Sequence, residues 1–339
     1  MTDGLPRPAA GATAGFAPLP WLRSAHLQSV LPSLPLRRPF VRHRARPLLA
    51  ASQPVVLDCG EGVRLLAHHA SRERDGAGPA RRVVVMIHGW EGSADSLYLL
   101  SLGQQLFVSG ADVYRLNLRD HGASHHLNPE LFHSCRIREV VGAVQGVQRR
   151  HPDARLSLAG FSLGGNFVLR VAARAREAGL ELEQAVAICP VLDPRRTLAA
   201  LETGWALYRR YFVLKWRRSL RLKQQAWPGR FDFEDVLQLD SLSEMTDRLV
   251  CRYGGFRSLE EYLAGYAIVG AALGPLAVPS RIIAAADDPI IPAEDLGRLA
   301  RPSRLEISCS AFGGHCGFFD GRAPSWLERE VLRTILGRD

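Results

Sequence analysis

Two kinds of hydrophobic pattern alternate along the chain. Short runs of β-branched and aliphatic residues predict strands at 55–58, 63–69, 82–87, 113–118, 156–159, 185–189, 281–285 and 305–308. Between them, apolar positions recur three or four residues apart and predict helices at 96–109, 131–150, 166–178, 293–299 and 325–336. The first two strands flank Cys59-Gly60-Glu61-Gly62 and read as a β-hairpin. From residue 82 onward strand and helix alternate, the signature of a mostly parallel sheet with helices on both faces. The alternation stops at 193. From there to 276 aromatic, leucine and arginine residues sit at helical spacing, which predicts a helical insertion. The expected division is an N-terminal tail and loop-rich arm at 1–52, a core at 53–192, a helical cap insertion at 193–276 and the rest of the core at 277–339.

With 339 residues, 47% of them hydrophobic, the chain can bury one large core carrying an insertion. Its first fifteen or so residues are rich in Pro, Gly and Ala, with no apolar stretch behind a basic start, and read as a tail rather than a signal peptide. The longest apolar window, 266–278, is too short to span a bilayer and is broken by Gly270, Gly274 and Pro275, so it is assigned to core or cap. Six cysteines without paired spacing predict reduced thiols in a cytoplasm. Cys316 is taken as a small apolar filler.

The net charge of +9 is unevenly spread. Basic residues gather at Arg37, Arg38, Arg42, Arg44 and Arg46, and again between Arg209 and Lys223, where Tyr208, Tyr211, Phe212 and Trp216 interleave. The favoured reading of the second cluster is a solvated helix face backed by core aromatics. Peripheral contact with an anionic membrane surface, on the inner face, is the alternative. No nucleic-acid partner is expected.

The chemistry gathers at predicted strand ends, where a parallel sheet presents its functional loops. Gly160-Phe161-Ser162-Leu163-Gly164 has the G-x-S-x-G spacing of a nucleophile elbow, and it sits between a strand and a helix as that motif requires. A serine hydroxyl is a weak nucleophile at neutral pH, so it needs a histidine to take its proton and a carboxylate to orient that histidine. His315 is chosen from eleven histidines because it alone lies between the last strand and the final helix, beside Gly313-Gly314. The acid is one of two neighbours. Asp288, opening Asp-Pro-Ile-Ile-Pro, is favoured, with Asp287 left as a loop brace or the alternative. Backbone N–H groups of Leu163 and of Trp90, in the turn His88-Gly89-Trp90, are expected to form the oxyanion hole. His88 and His121 are assigned to loop bracing. The pairs His68-His69 and His125-His126 lack metal-ligand spacing nearby, so no metal is expected.

Taken together, these segments resemble the α/β-hydrolase superfamily, and within it the branch that groups bacterial YheT-like hydrolases with eukaryotic ABHD-type enzymes. The residues carrying the resemblance are His26-Leu27-Gln28-Ser29-Val30-Leu31-Pro32, His88-Gly89-Trp90-Glu91-Gly92-Ser93, Asn117-Leu118-Arg119-Asp120-His121-Gly122, the segment 160–166, Asp287-Asp288-Pro289 and Gly313-Gly314-His315-Cys316-Gly317-Phe318. They span most of the chain in the family's order. Trp90 departs from the Leu common after the His-Gly pair. The resemblance implies an α/β-hydrolase fold and cofactor-free, serine-dependent hydrolysis of, or acyl transfer on, carboxylic esters, and does not identify the substrate. The expected function is cleavage of short- to medium-chain or lipid-like esters through an acyl-enzyme. Two rivals are retained. Acyl transfer to an alcohol is hinted at by an H-x-x-x-x-D pattern at His315 and Asp320, read as coincidence, and the fold can also serve as a non-catalytic binding protein. A dinucleotide enzyme is disfavoured because residues 160–165 do not satisfy G-x-G-x-x-G.

Overall fold

A computed structural model describes residues 15–75 and 78–337. The expected N-terminal tail lies almost entirely outside the described residues. Among the described residues eight strands form one sheet: β1 (Ser52–Asp58), β2 (Arg64–Ala70), β3 (Arg82–Ile87), β4 (Asp112–Leu116), β5 (Arg155–Phe161), β6 (Leu182–Ile188), β7 (Ser280–Ala285) and β8 (Leu305–Ser310). Their order is β1-β2-β4-β3-β5-β6-β7-β8. The β1–β2 hairpin runs in register from Ser52 opposite Ala70 to Asp58 opposite Arg64, and β2 is also antiparallel to β4. Every pairing from β4 to β8 is parallel. This is the α/β-hydrolase arrangement expected from the sequence.

The hydrophobic runs explain the layering. In β3, Val83, Val85 and Ile87 join one core while Val84 and Met86 join the other, because successive side chains leave a strand on opposite faces. A strand covered on both sides has no polar face, hence the unbroken Val-Val-Val-Met-Ile. Eleven helices accompany the sheet among the described residues: α1 (Ala25–Val30), α2 (Arg38–Arg44), α3 (Arg46–Ala50), α4 (Leu97–Val108), α5 (Ile137–Arg150), α6 (Leu163–Ala173), α7 (Pro194–Thr203), α8 (Ala206–Ala226), α9 (Leu242–Tyr253), α10 (Leu259–Ala264) and α11 (Trp326–Leu336). α5 and α6 cover the first face; α4 and α11 cover the second.

Three local expectations are corrected. The arm is not loop-rich, since α1, α2 and α3 occupy much of it, with proline at the first or second position of α2 and α3, where a missing N–H costs nothing. Residues 131–136 do not belong to the helix that follows; α5 starts at Ile137, and Arg136 folds its guanidinium back onto Leu131 O at 2.9 Å. The segment 293–299 is 3₁₀ rather than α, with its buried Asp295 bonded to Arg298 three residues on. No helix among the described residues is long and apolar enough to cross a membrane.

Candidate active site

Ser162 stands alone between the end of β5 and the start of α6, with φ 53° and ψ −118°. An L-residue held there is strained and needs surroundings that leave it no alternative. Its N–H donates to Ile188 O of the neighbouring strand at 2.8 Å. The motif glycines let the chain cross itself closely: a Cβ on Gly160 would strike the Gly164 carbonyl, and one on Gly164 would strike the carbonyl of Ile87 at the end of β3.

His315 and Asp288 meet at this serine. His315 Nε2 is 2.9 Å from Ser162 Oγ, and its Nδ1 is 2.9 Å from Asp288 Oδ2. Asp288 is fixed in turn, its Oδ1 accepting the N–H groups of Ile290 and Ile291 at 2.8 and 3.0 Å. Asp287 turns away and accepts the Gly314 N–H at 2.8 Å, bracing the histidine loop. Burial disfavours the imidazolium of His315, but the Asp288 carboxylate with Cys316 beside it outweighs that and holds the pKa well above 6.5. The N-terminal arm completes this wall. Ser29 Oγ accepts the His315 N–H at 2.8 Å, and the buried Gln28 exchanges hydrogen bonds with the Phe319 backbone, Nε2 to O at 3.0 Å and N to Oε1 at 2.7 Å.

On the opposite wall lies the turn after β3. A Cβ added at Gly89 would sit 3.2 Å from Ser162 Cβ, so this turn lies directly against the serine. Neither the Trp90 N–H nor the Leu163 N–H donates to any group among the described residues. Several groups around them are tied. Gly89 N–H donates to Tyr98 Oη at 3.0 Å, Glu91 N–H donates to His121 Nε2 at 3.3 Å, and Glu91 O accepts from Lys215 Nζ at 2.7 Å. His88 gives its Nδ1 proton to Gly89 O at 2.7 Å and accepts the Leu118 N–H at Nε2, 3.1 Å away. Burial drives the pKa of His88 down to about 4 and holds that of His121 well below its ordinary value. Both are therefore neutral braces.

A cavity opens at Ser162 and His315 beneath α7, α8, α9 and α10, its apolar lining including Trp90, Leu163, Leu198, Phe212, Leu249 and Val250. Trp90 stacks on Phe212 of α8 at 5.0 Å and meets Trp216 edge-on. The sequence did not reveal what α8 does with its lysines. Lys215, Ser219 and Lys223 recur every fourth residue and face inward; Lys223 is fully buried and donates to Asp120 Oδ1, Asn128 O and Glu130 O at 2.7–2.9 Å. That spacing was the available signal, hidden among outward arginines. Asp320 makes no contact with His315; its carboxylate pairs with Arg329 at 2.6 Å. Cys316 lies beside Cys189, and His69, Asp112 and His151 also cluster, two groupings of ligand-type residues that sequence spacing could not show.

Similarity to known proteins agrees with this geometry. The family described as serine aminopeptidase, S33 (Hydrolase_4) matches residues 78–315. YheT of Escherichia coli (strain K12), provisionally named an esterase, is 25% identical over 329 residues, covering 94% of this chain and 92% of its own. Mouse monoacylglycerol lipase ABHD2 is 26% identical over 60% of this chain, and the match spans 53% of ABHD2. Among solved structures, the Pyrococcus furiosus esterase Pf2001 shares the fold with a TM-score of 0.56 at 14% identity, over 84% of this chain and 91% of its own. The 2,6-dihydroxy-pseudo-oxynicotine hydrolase does so with a TM-score of 0.58 at 15% identity, over 92% and 79%. With a sheet, a serine elbow and a family match that agree along most of its length, the chain belongs to the serine aminopeptidase S33 family of α/β-hydrolases and is of the YheT/ABHD type.

Proposed function

We propose that the protein is a serine hydrolase of carboxylic esters, with Ser162 as nucleophile, His315 as general base and acid, and Asp288 as the carboxylate that orients it. The observation that carries this reading is the unbroken hydrogen-bond chain from Ser162 through His315 to Asp288 on a strained elbow. Ser162 Oγ attacks the ester carbonyl while His315 Nε2 takes its proton. The oxyanion forms against the N–H groups of Trp90 and Leu163, which have no other acceptor among the described residues. The C–O bond then breaks, the alkoxide takes the proton from His315, and an acyl-enzyme remains. Water enters, yields a proton to His315, and releases the acid and Ser162. The cavity's apolar lining favours short- to medium-chain or lipid-like acyl groups, with the helical segment α7–α10 acting as its cap.

The reading extends to where the substrate is met. The outer side of α8 exposes Leu207, Tyr211 and Leu214 together with Arg210, Arg218 and Arg221, and the arm exposes Trp21, Leu36 and Phe40 with Arg38 and Arg42. His26 joins the two, bonding Tyr208 Oη at 2.9 Å and packing on Trp205. A basic surface studded with apolar side chains suits an anionic bilayer.

Fluorophosphonate labelling tests the mechanism. Parent protein is expected to label and to turn over p-nitrophenyl esters, and Ser162→Ala to do neither while remaining folded. A folded parent that neither labels nor turns over any ester overturns the proposal. For the membrane half, co-flotation with phosphatidylserine vesicles but not phosphatidylcholine vesicles is expected; equal indifference to both removes it.

A further inference from the structure

Cys189 and Cys316 play no part in the reaction above, yet they occupy unusual places. Cys189 follows β6 and Cys316 follows His315. Both have positive φ, 42° and 61°, among only seven non-glycine residues described that do so. Such conformations persist only where the surroundings impose them, so both thiols are held in fixed positions. Each spends its sulfur on weak contacts. Cys189 Sγ accepts the Cys316 N–H at 3.3 Å and lies 3.7 Å from Gly314 O, while Cys316 Sγ lies 3.7 Å from Ile188 O. The two sulfurs and one nitrogen of His315 all lie within 4.8 Å of one another.

We propose that Cys189, Cys316 and His315 form a site for a thiophilic divalent cation, with Zn²⁺ as its probe, and that filling it shuts off the serine site. Zinc takes thiolate and imidazole together in tetrahedral geometry, which puts neighbouring donor atoms about 3.5–3.8 Å apart for bonds of about 2.3 Å to sulfur and 2.0 Å to nitrogen. The existing spread, at most 4.8 Å, closes to that by no more than about 1.3 Å. Binding releases the two thiol protons to solvent, leaves two Zn–S bonds and one Zn–N bond, and keeps a fourth position for water. The neighbouring Asp288 carboxylate favours the cation's charge. Both nitrogens of His315 are engaged, one with Asp288 and one with Ser162. Whichever nitrogen takes the metal, the base loses a partner it needs. The inhibition rests on the ester-hydrolase reading; the metal site does not.

Co²⁺ titration of the metal-free chain is expected to give thiolate-to-cobalt charge-transfer absorption at one ion per chain, discharged by Zn²⁺. Zn²⁺ is expected to stop ester turnover, and EDTA to restore it. In Cys316→Ser and Cys189→Ala, with rates normalised to each variant's metal-free value, the Zn²⁺ concentration for half-inhibition is expected to rise more than about 100-fold, beyond the loss typical of an outer partner alone. His69→Gln, which disrupts the separate His69, Asp112 and His151 cluster, is expected to leave it unchanged. Cobalt bound without thiolate absorption, or Cys316→Ser as sensitive as the parent, overturns the proposal. Ser162→Ala separates the two readings: it is expected to keep the cobalt spectrum while losing turnover, so failure of the esterase reading leaves the metal site standing.

Discussion

Ser162 lies between two histidine-bearing walls built to opposite ends. On one, His315 faces a carboxylate and is held well above its ordinary pKa despite burial. On the other, the more deeply buried His88 and His121 meet backbone amides and carbonyls instead of a carboxylate and are driven down. Burial is common to all three, so the partner decides. A histidine given a carboxylate can carry a proton; one given only amides and carbonyls becomes a fixed strut. The sharpest way to break the comparison is to remove one histidine from each wall. His315→Gln is expected to lower kcat on p-nitrophenyl esters on the order of 10⁶-fold. His121→Gln, a strut by this argument, is expected to stay within about 100-fold, at or below the loss of one oxyanion donor. Comparable losses from the two would mean that the walls are not different in kind.

Asp288 sharpens the same contrast by one step. Asp288→Asn keeps the shape but reverses what it offers Nδ1, and kcat is expected to fall about 10⁴-fold. In the proposed mechanism the base must be neutral to accept the serine proton, so activity is expected to rise with pH through the pKa of His315. Losing the negative charge moves that rise to lower pH. Asp287→Asn, which touches the loop but not the ring, is expected to leave the position of the rise unchanged. A shift on Asp287→Asn and none on Asp288→Asn would exchange the two roles.

The struts carry their own pH signature. His88 is buried with a pKa of about 4 against 6.5 when free, so between those values the unfolded chain binds the proton and the folded one does not. Stability is full above about pH 6.5 and is lost as pH falls towards 4, by about 3 kcal/mol from this group. Thermal melts across that range are expected to fall more gently in His88→Asn. A parallel decline in parent and variant would mean that His88 carries no such penalty.

Much of what the sheet contributes to the site was legible in the sequence, and much of what the helices contribute was not. β3 is predicted to the residue because a strand buried on both faces must be apolar throughout, and Gly160-Phe161-Ser162-Leu163-Gly164 is legible because the steric needs of its turn fall on adjacent residues. His315 and Asp288 could be placed because topology puts both at strand ends. By contrast, Gln28 and Ser29 reach the histidine loop across 286 to 291 residues of chain, and no local pattern encodes such a contact. α8 misleads for a different reason. Its charges serve two faces, and composition cannot distinguish Lys223, buried on Asp120, from Arg218 in solvent.

Lys215 joins the wall of His88 and His121 from the helical side. His121 holds the Glu91 N–H from the sheet side, and Lys215 holds the Glu91 carbonyl from α8. Glu91, the residue after Trp90, is therefore held through both of its flanking peptides, one of them from the helical segment that roofs the cavity. Lys215→Met keeps most of the side chain's bulk and removes only the donor. The Trp90 N–H remains present but less firmly aimed, so the expected loss is about 10-fold in kcat, well short of the 10²- to 10³-fold that follows loss of an oxyanion donor. Because the contact is made to backbone rather than to substrate, KM is expected to hold nearly constant across acyl lengths. A rise in KM with unchanged kcat would place Lys215 in substrate binding and leave the turn braced by His121 alone.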